Sequence, residues 1–94
     1  MRVMSFIPEL TSFLKATGAI YTVRRYDMAA AEVEVEGVGK CSRVPLGKVD
    51  NKDALVPYVK GSGFDTLEAW WSKIKYFIPV SSDSMFLYWV MRVF

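Results

Sequence analysis

The side chains best suited to grip a ligand cluster at Thr22, Arg24 and Arg25. In an extended segment Thr22 and Arg24 project to one side and Arg25 to the other. An arginine fork beside a cleft can hold a phosphate through paired N–H donors or stack on a base. A threonine hydroxyl becomes a useful nucleophile only beside a base. The competing reading pairs one of these arginines with a nearby acid, Asp27 or Glu34. A second basic series, Lys40, Arg43 and Lys48, runs along one extended stretch, with Lys40 and Lys48 on one face and Arg43 on the other. A strip of this kind can track a polyanion backbone. Lysines that keep an edge strand from aggregating give the same pattern, and for the strip we favour that reading. Glu32, Glu34 and Glu36 form an acidic row, read as a solvated strand face that repels RNA and confines any nucleic-acid site to the other side.

Other chemistries are closed by composition. The chain has no histidine and a single cysteine, Cys41. Ser-His-Asp and Cys-His nucleophilic sets are therefore absent, an intramolecular disulfide cannot form, and a transition-metal site made from protein ligands alone is not expected. No cofactor is expected. Cys41 reads as a small core residue in a reduced, cytoplasmic setting. The formal net charge is +2, from 12 Lys and Arg against 10 Asp and Glu, which permits a polyanionic partner without requiring one.

The elements that must position these residues follow from periodicity. The 94 residues suit a single α+β domain, and 52% apolar and 15% aromatic content can supply a core without staples. Residues 1–7 read as a short strand or extended lead-in. Pro8 suits a first helical turn and Glu9 complements the helix dipole. Leu10, Phe13 and Leu14 make an apolar stripe, and Gly18 ends a helix spanning Pro8 to Thr17. Ile20 to Tyr26 is β-branched and aromatic and reads as a strand. Asp27 to Ala30 is a loop. Val33 and Val35 alternate with the glutamates in a half-buried strand. Gly37-Val38-Gly39 is a turn or bulge, and Lys40 to Val49 is a longer strand in which Pro45 must sit at an edge or bulge.

Asp50 to Lys60 reads as a short helical stretch capped by Asp50 or Asn51 and interrupted by Pro57. After a Gly61-Ser62-Gly63 turn, Asp65 or Thr66 caps a helix over Thr66 to Tyr76, with Glu68 completing a capping box if Asp65 is the cap. Its stripe is Leu67, Trp70, Trp71, Ile74 and Phe77. Trp70 and Trp71 cannot both face the core, so one is an anchor and the other lies at a rim. Pro79 stops the helix, Ser81 to Ser84 is a polar loop, and Met85 to Phe94 is a final, central strand. No secretory leader or bilayer-spanning run is expected, and so no membrane partner.

Several segments together resemble one family. Phe6-Ile7-Pro8-Glu9-Leu10, Phe13-Leu14, Gly18 and Thr22-Val23-Arg24-Arg25 resemble the opening of ASCH domains, in the PUA-like superfamily. The stretches Val33 to Gly39, Arg43 to Val49, Ser62 to Trp70 and Leu87 to Val90 resemble later family strands and the late helix start. The resemblance implies a small PUA-like β-barrel of about five strands with helices covering its openings, and a cleft that binds RNA or modified bases. With the basic residues read above, the expected nucleic-acid-binding residues are Thr22, Arg24, Arg25, Lys40 and Arg43. Some family members hydrolyse acetylated cytidine with a lysine, a threonine and a glutamate. In their fuller motif a lysine stands three residues before the threonine; here that position is Ala19. The leading expectation is therefore a non-enzymatic RNA- or nucleotide-binding domain. The alternatives are an amidohydrolase using Thr22, Lys15 and Glu34 or Glu36, and an interaction or homodimer module using the Trp70–Trp71 helix or the last strand.

Overall fold

The computed structural model describes residues 2–78 and 85–93. The elements are β1 (Arg2–Met4), α1 (Pro8–Thr17), β2 (Ala19–Arg24), β3 (Ala31–Val35), β4 (Gly39–Lys48), a 3₁₀ stretch (Lys52–Gly61), α2 (Leu67–Phe77) and β5 (Phe86–Arg92). They build one mixed sheet in the order β1-β3-β4-β5-β2. The β1–β3 pair is parallel, so the chain crosses over through α1 and β2 before returning. The other three pairs are antiparallel. Among the described residues the outer strands β1 and β2 do not pair, so the sheet is open and not a hydrogen-bonded barrel.

Local chemistry accounts for the element boundaries. Pro8 starts α1, and Gly18 ends it in the left-handed region at φ 87°, its N–H on Leu14 O at 2.8 Å. Thr66 caps α2, accepting from Ala69 N. With the cap at Thr66 and not Asp65, Glu68 has no capping-box role; it stands 3.8 Å from Lys52 instead. Asn51 caps the 3₁₀ stretch by accepting from Ala54 N, and Pro57 is carried within it. Pro45 lies where β4 has outrun β3, and the register against β5 shifts between Pro45 and Gly47. That overhang tolerates the missing N–H. The stop expected at Pro79 and the loop at 81–84 lie outside the described residues.

The sheet is covered on both faces. On one side Leu14 of α1 packs with Met4, Ile20, Val33, Val35, Cys41, Tyr88 and Val90. On the other Trp70 and Ile74 of α2 pack with Val49, Leu55, Met85 and Leu87. Alternate residues of β5 thus enter both clusters, which explains why this strand reads as a nearly unbroken apolar run. Cys41 is fully buried, and burial, the largest influence, pushes its thiol pKa up. It remains a protonated core residue.

Gly61 shows how tightly the second cluster is wedged. A Cβ there would lie 2.7 Å from the ring of Tyr21, which is itself fixed against Tyr58 and Trp89. Gly61→Ala is expected to cost about 1–3 kcal/mol of stability, as overpacking against an immobile ring does. Chemical denaturation measures it, and an unchanged midpoint would show that Tyr21 yields freely.

Candidate functional site

The curl of the sheet brings its unpaired edges together. Arg24, the last residue of β2, donates from Nη2 to the carbonyl of Ser5, just after β1, at 3.1 Å. Its guanidinium lies 4.8 Å from the centre of the Phe6 ring. A cavity of about 610 Å³ opens where these edges meet α2. One wall is the chain from Val3 to Ile7, another runs from Thr22 to Tyr26, and α2 closes it with Trp70, Lys73, Ile74 and Phe77. This volume falls in the range of ordinary small-ligand sites.

The charges in this wall are of one sign. Arg24, Arg25, Arg43 and Lys73 line the cavity, and no Asp or Glu does so among the described residues. Arg43 is only 2% exposed. Its Nε and Nη2 both donate to Ala29 O, at 3.2 and 2.8 Å, and Nη1 lies 3.6 Å from the Met28 sulfur. Arg24 Nε is buried with no hydrogen-bond partner. Burial pushes the Arg24 pKa below its ordinary value, and the nearby positive charge of Arg43 pushes it further the same way. Neither arginine forms an ion pair among the described residues, and the paired lysines, Lys40 and Lys52, lie elsewhere. Buried charge is ordinarily neutralised by a partner, and here the positive charge of the wall is left uncompensated by any acid among the described residues.

The rim is held by a buried tyrosine. Tyr88 of β5 donates to Tyr26 O and accepts from Met28 N, both at 2.6 Å. Together with Arg43 it pins residues 26–29 over the cavity. Comparison with family models, with curated proteins and with solved structures finds no match to this chain. The site therefore has to be read from its own chemistry.

Of the five residues expected to bind nucleic acid, Thr22, Arg24, Arg25 and Arg43 line the cavity and Lys40 does not. Lys40 is exposed and stands 3.7 Å from Glu32 across the β3–β4 pair. The favoured edge-strand reading of Lys40, Arg43 and Lys48 does not hold, because β4 lies between β3 and β5, and the alternative polyanion strip does not form either, because Arg43 is buried while Lys40 and Lys48 are exposed. Arg25 joins the cavity despite its place in the alternation because β2 ends at Arg24, and its guanidinium lies 5.5 Å from the Tyr26 ring. Neither Asp27 nor Glu34 pairs with these arginines.

The residues of the hydrolase alternative are not gathered in the cavity. Thr22 is in its wall, whereas Lys15, Glu34 and Glu36 are exposed and absent from it. Trp70 is the buried anchor expected of the tryptophan pair, 3% exposed. Trp71 is half-buried, with the Lys75 ammonium 4.8 Å from its ring, and the aromatic groups that α2 leaves exposed are Tyr76 and Phe77. Lys73 and Phe77 are cavity residues missed in the sequence. Lys73 carries no signal there beyond its charge, and Phe77 reads as the end of a core stripe.

Proposed function

We propose that this chain is a non-enzymatic, PUA-like domain of ASCH type that binds RNA or a nucleotide in the cavity between its sheet edges, in a cytoplasmic setting. The observation that carries the reading is the pair Arg43, buried, and Arg24, half-buried with its Nε shut off from solvent, which share a cavity wall with no carboxylate among the described residues. Arg25 and Lys73 extend the positive charge toward the rim, and Phe6, Tyr26, Phe64 and Phe77 supply aromatic surface beside it. Phosphates are held by guanidinium groups, and bases stack on aromatic rings. The open five-strand sheet with helices against both faces is compatible with a PUA-like arrangement whose closing seam is this cavity. In this reading the Glu32 and Glu34 row, on exposed positions of β3, lies outside the RNA path.

Titration with short single-stranded RNA, tRNA and free nucleosides including acetylcytidine, followed by tryptophan fluorescence at low and moderate salt, tests the reading. RNA or a nucleotide is expected to quench the signal, with RNA affinity falling as salt rises because phosphate contacts release counterions. Silence with every RNA and nucleotide would overturn it. A response to acetylcytidine alone, with product formed, would return the hydrolase alternative.

A further inference from the structure

We propose that the Arg24–Arg43 pair is a receptor for a phosphate monoester, so that the ligand is held by a terminal phosphate and not by an internal diester of a strand. The inference rests on the RNA or nucleotide reading for the identity of the natural ligand, while the phosphate chemistry follows from the cavity itself.

Two guanidinium groups, that of buried Arg43 and that of half-buried Arg24, line one cavity, and no acid of the described residues neutralises either. An internal phosphodiester brings a single negative charge. A phosphate monoester carries about −1.5 to −2 at neutral pH, with three strong acceptor oxygens. Of these two groups, only the monoester balances both cations with a single phosphate. The donors point the same way. Arg43 has committed its Nε and Nη2 edge to Ala29 O and has its Nη1 edge against nothing stronger than a thioether sulfur. Arg24 has committed Nη2 to Ser5 O, while its Nε is buried and has no acceptor. A phosphate oxygen at Arg24 Nε would satisfy that donor and screen the like-charge repulsion at once. A neutral base carbonyl could accept from Nε but would leave both charges uncompensated. Lys73 and Arg25, also in the wall, supply the outer charge that draws an anion in.

Two consequences separate this from general attraction of anions. First, binding should follow the second ionisation of the monoester, near pH 6. The dianion is the bound form, so affinity is full above that pH and declines as pH falls through it. Second, Arg24 should be necessary to the filled protein, because replacing it removes both a charge and the unpartnered Nε donor.

The test is thermal unfolding of the full chain with inorganic phosphate or dimethyl phosphate, against sodium chloride of matched ionic strength. Inorganic phosphate should raise the melting temperature at pH 7.5 and do so far less at pH 5, whereas dimethyl phosphate should match chloride. Arg24→Met should lose the phosphate shift. Arg24→Lys, which keeps the charge but not the Nε donor, should lose most of it. In parallel, an RNA oligonucleotide with a 5′- or 3′-phosphate should bind about tenfold or more tightly than its hydroxyl-ended counterpart, as a charge-assisted contact is worth. Equal binding of all three ends, with Arg24 still required, would overturn the monoester receptor and leave the RNA reading standing. A phosphate shift with no RNA or nucleotide binding would uphold the receptor and overturn the RNA reading. A phosphate shift that persists in Arg24→Met, or one that chloride reproduces, would overturn the receptor.

Discussion

Trp70→Ala is expected to lower the unfolding free energy by about 3–5 kcal/mol, the range for deleting a buried indole and leaving part of its volume empty. Trp70 is 3% exposed and packs with Leu55, Ile74 and Leu87 in the cluster between α2 and the sheet. It also lines the cavity. A domain of this size has a total stability of roughly 5–15 kcal/mol, so the variant should lose a large fraction of it. Urea denaturation followed by circular dichroism measures the loss, since the fluorescence of this residue is itself removed. A loss under about 1 kcal/mol would mean that the cluster collapses around the deletion and that α2 is not anchored as described.

Tyr88→Phe is expected to cost about 2–4 kcal/mol, a large penalty for a single oxygen. The hydroxyl serves Tyr26 O and Met28 N at once, both at 2.6 Å, across 62 and 60 residues of sequence. Phenylalanine keeps the packing of a fully buried ring and removes both bonds. A buried donor or acceptor left unmade costs about 1–3 kcal/mol. The effect should also be local. With its tether gone, the segment from Tyr26 to Ala29 should exchange its amide hydrogens faster than in the wild type, while β5 should change little. Because this segment rims the cavity, ligand affinity should fall as well. Unchanged protection at Met28 would mean that Arg43, through Ala29 O, holds the segment alone.

How much of this was legible in the sequence depended on whether a feature is local. Pro8 and Gly18 bracket α1 as their backbone preferences require. The alternation of Val33 and Val35 with glutamates marks β3 and its buried side. The apolar run at the C-terminal end marks a strand buried on both faces, and β5 does lie between β4 and β2. Thr22 and Arg24, two residues apart on one strand, do share a wall. The features that were not legible depend on where the sheet curls. Arg43 sits on the opposite face from Lys40 and Lys48 in the alternation, but nothing in the sequence says that this face is buried or that a carbonyl 14 residues earlier receives it. Lys40, expected in the same binding set, is instead placed beside Glu32 across the strand pair. The wall supplied by Lys73 and Phe77 arises because α2 packs against the same seam, and no spacing within the helix announces that. The barrel expectation failed to appear as hydrogen bonding for a related reason: β1 has only three residues and pairs with β3, and the seam beyond it is bridged by the side chain of Arg24.

Ligand held at Arg24 and Arg43, and not by the surface charge of β4, should separate Arg24→Ala from Lys40→Ala in the RNA titration. Loss of a charge-assisted contact should weaken Arg24→Ala by about tenfold to a hundredfold and flatten its salt dependence. Lys40→Ala, whose ammonium is engaged by Glu32 outside the cavity, should stay within about twofold of the wild type. An Arg24→Ala variant that is folded and binds with wild-type affinity, or a greater loss in Lys40→Ala, would contradict the account.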